Sequence, residues 1–391
     1  MKKRSLVTIL TIIVLSSMLL AACAPVATEV PPADPPAPAT ELPATEASPT
    51  EAPPATEEPA PVIITDSSGN VVELAKVPER IVIAGKATPF TLSTTYVFEE
   101  ASERVVAQEL RGLTMPDFLM LIDPKYDDKI KLETDSSAEQ IAPVKPDIVI
   151  VKNYVVKAMQ EPLGKLGIPV VGLNMETPEV FYKDIEMLGQ LFDAPERASE
   201  VNAYFQEKVA VVQSAMEGLT EEEKPTVLVI QYSEKDGEVA FKVPPSSYIQ
   251  TTMVKDGGGI PVWVENVVED ESNWIVVNFE QIAVWNPNII LVINYNGNPQ
   301  ETAETLMQND LWMELDAVKE GKVYGFGKDY QGWDLPDPRW VLGYTWVATK
   351  IHPERMTDTD IYAMVKEFYK FMYRLTDEQI DTIVMPYVVA P

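Results

Sequence analysis

The stretch Asp329-Tyr330-Gln331-Gly332-Trp333-Asp334-Leu335-Pro336-Asp337-Pro338-Arg339-Trp340 gathers two tryptophans, a tyrosine and an arginine among prolines. Such a loop offers rigid aromatic faces and hydrogen-bond donors, which suits the binding of a small molecule. Tyr330, Trp333 and Arg339 are its candidate ligand contacts. Trp340 reads equally well as a cap on the core beneath the apolar helix expected from Val341 to Ile351. Catalytic chemistry has little else to draw on. There is one histidine, His352, which precedes Pro353 at what reads as a surface helix end, and one cysteine, Cys23. No imidazole or thiolate cluster for a metal can be assembled, no nucleophilic cysteine is available, and no Gly-x-Ser-x-Gly elbow occurs. With 60 acidic residues, carboxylate pairs are to be expected anywhere and say nothing for a hydrolase.

Two shorter stretches are near copies of one another. Glu139-Gln140-Ile141-Ala142-Pro143-Val144-Lys145-Pro146-Asp147-Ile148-Val149-Ile150 is answered, 141 positions later, by Glu280-Gln281-Ile282-Ala283-Val284-Trp285-Asn286-Pro287-Asn288-Ile289-Ile290-Leu291. Each reads as an amphipathic helical turn, a proline that stops it, and an apolar run typical of a buried parallel strand. The duplication implies two similar lobes. Glu139 and Glu280 either open their helices, where an early acid suits the dipole, or carry a function common to both lobes.

The elements that would position these groups follow from the 391 residues in order. Apolar residues at 46% and a net charge of -29 describe a globular chain that would repel nucleic acid. Lys2, Lys3 and Arg4 precede an apolar run that closes on Leu20-Ala21-Ala22-Cys23, a secretory signal over residues 1–22. From Ala24 to Pro61 there are twelve prolines, seven acids and no base. Residues 23–61 therefore read as a disordered, extended tether reaching on the order of 100 Å.

Residues 62–176 read as a first α/β lobe: a hairpin from Val62 to Val72, then strands at Ile81–Ile83, Val105–Ala107, 146–152 and 168–173. Open α/β sheets bind ligands beyond the carboxyl ends of their strands, which makes Arg111, Asn153 and Tyr154 cleft candidates. Residues 177–220 are helix-permissive apart from Gly189 and Pro195, and predict one kinked helix or two segments bridging the lobes. Residues 221–391 form the second lobe. Tyr232 ends its first strand, Tyr295 and Asn296 follow the repeated strand, and terminal helices bury Phe368, Phe371, Met372 and Leu375. Gly257–Gly259 lack the strand and the Gly-Lys-Ser/Thr of a phosphate loop.

Several of these motifs resemble known ones. Leu20-Ala21-Ala22-Cys23 resembles the bacterial lipobox, which implies cleavage before Cys23 and its lipidation. Ile64-Thr65-Asp66, Gly69, Val71 and Pro78-Glu79-Arg80-Ile81-Val82 are similar to the opening of the periplasmic-binding proteins of iron-siderophore and cobalamin uptake. Asp316-Ala317-Val318-Lys319-Glu320-Gly321-Lys322-Val323-Tyr324 is similar to their closing segment. The resemblance covers about residues 62–350 and implies two Rossmann-like lobes of mainly parallel sheet, joined by a long bridging helix, with the ligand cleft between them. It places Lys86, Thr88 and Pro89 at the cleft, and gives Glu139 and Glu280 the role of docking a membrane permease with its ATPase subunits. The expected function is that of a lipid-anchored, extracytoplasmic, monomeric receptor without enzymatic activity or cofactor. Its expected cargo is a ferric-siderophore-type chelate, with aromatic contacts from Tyr154, Tyr295 and Trp333 and neutralising charge from Lys86, Arg111 and Arg339. Cobalamin, haem, or an oxyanion such as molybdate or tungstate fit the same scaffold, and a cell-surface hydrolase is the alternative of another class.

Overall fold

The computed structural model describes residues 61–111, 116–267 and 273–391. Cys23, the secretory signal and the tether lie outside the described residues. Apolar runs become strands wherever both faces can be covered. In the first lobe β3 (Ile81–Ile83), β4 (Val105–Glu109), β5 (Ile130–Leu132), β6 (Ile148–Lys152) and β7 (Val170–Leu173) form a parallel sheet in the order β5-β4-β3-β6-β7. The preceding hairpin pairs β1 (Val62–Thr65) with β2 (Val71–Leu74), and Asp66 accepts from Ser68, Asn70 and Gly172 amides to pin it to β7.

The second sheet runs β11-β9-β8-β12-β13, with β10 (Ile260–Pro261) beside β8. Here β8 (Thr226–Lys235), β12 (Ile289–Ile293) and β13 (Val323–Gly325) are parallel, while β9 (Glu238–Val243) runs antiparallel to both of its neighbours, β8 and β11 (Ile275–Val277). The two copies of the repeat occupy equivalent places, feeding β6 and β12, each flanked on both sides by parallel neighbours. Their helices start alike. Ser137 with Gln140, and Asn278 with Gln281, form capping boxes. Ile141 and Ile282 are fully buried, and left-handed Lys145 and Asn286 end the units.

The bridge is two helices, Pro178–Phe192 and Pro195–Ala215, and the interruption legible at Gly189 and Pro195 is where the chain reverses. Asp193 is left-handed, and a Cβ on Gly189 would meet that of Ala198 at 2.6 Å, so the arms close on glycine. Phe181 packs on Phe205 at 4.5 Å and Asn202 donates to the Tyr182 carbonyl, which fixes the antiparallel pairing.

The expectation that His352 sits at a surface is corrected. It is buried, with Nε2 at 3.1 Å from the Gly258 carbonyl and Nδ1 at 3.0 Å from Glu354. Gly258 is left-handed, and any side chain there would strike His352, so the glycine run is a packing device for the helix Trp340–Ile351.

Candidate functional site

The carboxyl ends of β3, β4, β6 and β7 meet on one face of the first lobe. After β3 the chain passes through left-handed Gly85 and Ala87, with Lys86 exposed between them, into the helix Thr88–Thr95. That helix has no side-chain cap, and Thr88 Oγ1 is buried without a partner. Pro89 has no N–H and the Phe90 and Thr91 amides donate to the Ala87 carbonyl, so the bend offers the amides of Lys86, Ala87 and Thr88 to an electronegative oxygen. Glu109, fully buried at the end of β4, holds it in shape: its carboxylate accepts from the Gly85 amide at 2.8 Å, from the Asp135 amide at 2.9 Å and from Arg111 Nε at 2.8 Å. Arg111 also donates to the Gly85 carbonyl at 3.0 Å and to Asp135, so its charge is already matched within the protein.

Asn153 and Tyr154 open the helix Asn153–Gly164 directly from β6, and Tyr154 is 59% exposed. Beside them, Lys152 pairs with Glu176 at 2.8 Å and also donates to the Asn174 carbonyl. The Asn174–Glu176 loop turns at left-handed Met175, a bend held by Asp184, which accepts from the Asn174 and Met175 amides at 2.8 Å each. Burial pushes the Asp184 carboxyl up to about 7, against the downward pull of those amides. The folded chain therefore binds a proton there that the unfolded chain has released, and this group lowers stability as pH rises from about 4 to about 7, with no further slope above. Asp184→Asn keeps an acceptor for both amides and is expected to remove up to about 4 kcal/mol of that pH dependence. Asp184→Ala, which strands both amides, should cost about 3 kcal/mol. Melting curves of the three proteins at pH 5 and pH 8 check this; parallel losses in wild type and Asp184→Asn would refute it.

The second lobe contributes a cavity of about 360 Å³ at the carboxyl ends of β12 and β13. Asn294, Tyr295, Lys328, Tyr330, Gln331 and Asp334 are among its walls. The Tyr295 hydroxyl donates to Asp334 Oδ2 at 2.6 Å, while Asp334 Oδ1 is buried without a donor. Burial raises Asp334 to about 6, and Tyr295 well above the usual phenol range; Asp334, then Glu176 and Tyr248, add to the latter. Glu176 also raises Tyr154, after burial, so one first-lobe carboxylate acts on tyrosines of both lobes. A side chain at position 332 would run into Asp334 Oδ1, so Gly332 leaves room for that carboxylate. Trp274 meets the Tyr295 ring edge-on at 6.4 Å.

The structure brings Tyr295 and Tyr330 to this cavity. It places Lys86, Thr88, Arg111, Asn153 and Tyr154 at the opposing strand ends. Tyr232 lies apart from the cavity wall, on the half-buried part of β8, with its hydroxyl donating to Glu234 at 2.9 Å. Two expectations are corrected. Trp333 and Arg339 are fully buried, 0% exposed, and hydrogen-bond within the protein: Trp333 Nε1 donates to Asp329, and Arg339 to Asp329 and Asp337. They brace the cavity loop from beneath and do not face a ligand. Trp340 likewise packs in the core against Phe181, Phe205 and Tyr344. Glu109, Glu176, Asp184, Trp274 and Asp334 escape sequence reasoning, although Asp334 lies within the loop singled out for its aromatics. Glu139 and Glu280 are exposed on the first turns of their helices.

Residues 102–330 match the family of periplasmic binding proteins. The molybdate-binding protein MolA of Haemophilus influenzae is 23% identical over 291 residues, covering 69% of this chain and 75% of that protein. The uncharacterized ABC transporter substrate-binding lipoprotein YvrC of Bacillus subtilis is 24% identical, over 75% of this chain and 86% of its own. Among solved structures, a periplasmic solute binding protein from Veillonella parvula superposes with a TM-score of 0.65 at 24% identity, covering 82% of this chain and 96% of that one.

Proposed function

Because the chain belongs to the periplasmic binding protein family, we propose that it is the lipid-anchored extracytoplasmic receptor of an ABC importer, which captures a metal chelate of the iron-siderophore type. The observation that carries this reading is the pairing of two strand-end surfaces. A bend with backbone amides to offer stands at Lys86–Thr88, and an aromatic, carboxylate-bearing cavity at Tyr295–Asp334. The first suits the metal-bound oxygens of a chelate and the second its organic periphery. Cys23, after its signal, would carry the lipid and the acidic tether would hold the domain off the membrane. The receptor works as a monomer and by binding alone. The bend also favours a second reading, a bare oxyanion such as molybdate, to which the likeness to the MolA protein lends support. Tryptophan fluorescence titrated with ferric chelates, corrinoids, haem and molybdate decides the cargo, and silence across all of them would overturn the receptor assignment.

Delivery requires docking. Glu139 and Glu280 sit at equivalent exposed places on the two lobes and would meet basic residues of the permease, with its ATPase subunits on the far side of the membrane. Charges set well apart steer and orient an encounter more than they tighten it. Glu139→Lys with Glu280→Lys is expected to leave cargo affinity unchanged and to lower transport into permease-bearing vesicles by about tenfold or more. Undiminished transport would return both residues to their role as helix openers.

A further inference from the structure

Resting on the reading that this cleft is the cargo site, we infer that its second-lobe half accepts a cationic group, so that the cargo is a neutral or cationic chelate bearing a protonated amine and not a polyanion. Most basic side chains around the cleft are already committed. Arg111 lies between Glu109 and Asp135, Lys152 is paired with Glu176, and Arg339 is enclosed by Asp329 and Asp337. Lys328, on the cavity wall, has its Nζ 3.5 Å from the Gly297 carbonyl, and Lys86 is exposed at the first-lobe bend. Among the described residues, two carboxylate oxygens beside the cleft, in contrast, are buried with no hydrogen-bond donor. Asp334 is 1% exposed and lines the cavity, with Tyr295 satisfying Oδ2 and nothing satisfying Oδ1. Glu176, whose side chain is 18% exposed, has Lys152 on Oε1 and a buried, unpartnered Oε2. The large majority of buried side-chain polar atoms in folded proteins have a partner, and an ammonium has three donors to give.

The aromatic surroundings point the same way. The ring faces of Tyr295, Trp274 and Tyr154 attract cations through their quadrupoles, and do so more strongly where water is excluded. Glu176 raises both the Tyr295 and Tyr154 phenols, so its negative charge bears on aromatic groups of both lobes. The cleft is thus polar along its length, with amide donors at the Lys86–Thr88 end and carboxylates at the other. A ferric ion held by three hydroxamates is neutral overall, and becomes cationic when the ligand ends in a free amine. Held by three catecholates it is a triply charged anion, which Asp334, Glu176 and the net charge of -29 would all oppose.

The test is a matched pair of probes added to the full chain: a linear ferric trihydroxamate ending in a primary amine, and the same chelate with that amine acetylated. Titration by tryptophan fluorescence is expected to give at least tenfold tighter binding for the amine form. Asp334→Asn should remove that preference, read as the ratio of the two affinities within the variant. Tyr295→Phe, which frees Asp334 Oδ2, should keep the preference and shows that the fold tolerates change here. Equal affinity for the two chelates, tighter binding of a ferric tris-catecholate, or binding of molybdate alone would overturn this inference while leaving the receptor assignment standing. Silence towards every probe would overturn both.

Discussion

Arg339→Ala is expected to destabilise the protein by about 3–5 kcal/mol, the cost of removing one partner from a buried charge cluster. Arg339 Nε lies 2.9 Å from Asp329 and Nη1 2.8 Å from Asp337, and all three side chains are shut off from solvent. Its guanidinium also lies 4.4 Å from the centre of the Phe118 ring and 3.3 Å from Ser93 Oγ, so it reaches from the second lobe into the first. Without it, two carboxylates are left buried with too few donors. Lysine is no substitute, since one ammonium cannot span both aspartates and lie flat on a ring. Methionine at 339 with Asp329→Asn and Asp337→Asn should recover much of the loss, because the penalty comes from the stranded charges. The same change should weaken cargo binding, as Asp329 and Asp337 bracket Gln331 and Asp334 in the cavity wall. Urea unfolding with a constant m-value, set beside cargo titration, measures both effects; a loss under 1 kcal/mol would show that water already reaches the cluster.

That cluster also shows what the sequence could convey. The parallel strands were legible because burial on both faces leaves continuous apolar runs, and the repeated unit because its cap, its buried isoleucine and its left-handed stop are all local. The positions of Asn153 and Tyr154 at a strand end followed from topology alone, since they continue directly from the buried run of β6. The antiparallel strands β9 and β11 were missed, although Asp236-Gly237, both left-handed, is a hairpin signal between β8 and β9. Trp333 and Arg339 were misplaced for a physical reason. A loop rich in aromatics, prolines and one arginine has the same composition whether it faces a ligand or neutralises itself, and three aspartates within nine positions were the hint of the second case. Glu109, Glu176 and Asp184 had no local signal at all. Their roles arise from backbone amides and side chains brought together by the fold, with Asp184 acting on a loop eight to ten residues back.

Arg197→Ala combined with Arg374→Ala is expected to loosen the two lobes from each other and to cost about 4 kcal/mol, since hydrogen bonds from a charged donor are each worth roughly 1.5–3 kcal/mol. The helix Thr88–Thr95 and the turn after it end in the carbonyls of Tyr96 and Val97, the negative pole of the first lobe's leading helix. Arg374 donates to both at 3.1 and 2.9 Å, and Arg197 to Val97 at 3.3 Å and to the Phe371 and Met372 carbonyls. Tyr373 adds a bond to the Ser93 carbonyl at 3.1 Å. The helix Ile361–Tyr373 and the start of the second bridging helix are thereby fastened to the first lobe at one knot, so polar bonds as well as packing hold them there. Burial lowers both guanidinium pKa values, and Arg374 lowers that of Arg197 further, so the knot holds two like charges together by the carbonyls they share. Because Val97 bonds to both, the single substitutions should not add up to the double one. Wild type should melt in one transition and change little in radius of gyration on binding cargo. The double variant should show a separate early transition, faster amide exchange at Ser93–Phe98, and a larger closure in solution scattering. An unchanged single transition with wild-type exchange would mean that the helical hairpin alone carries the stiffness.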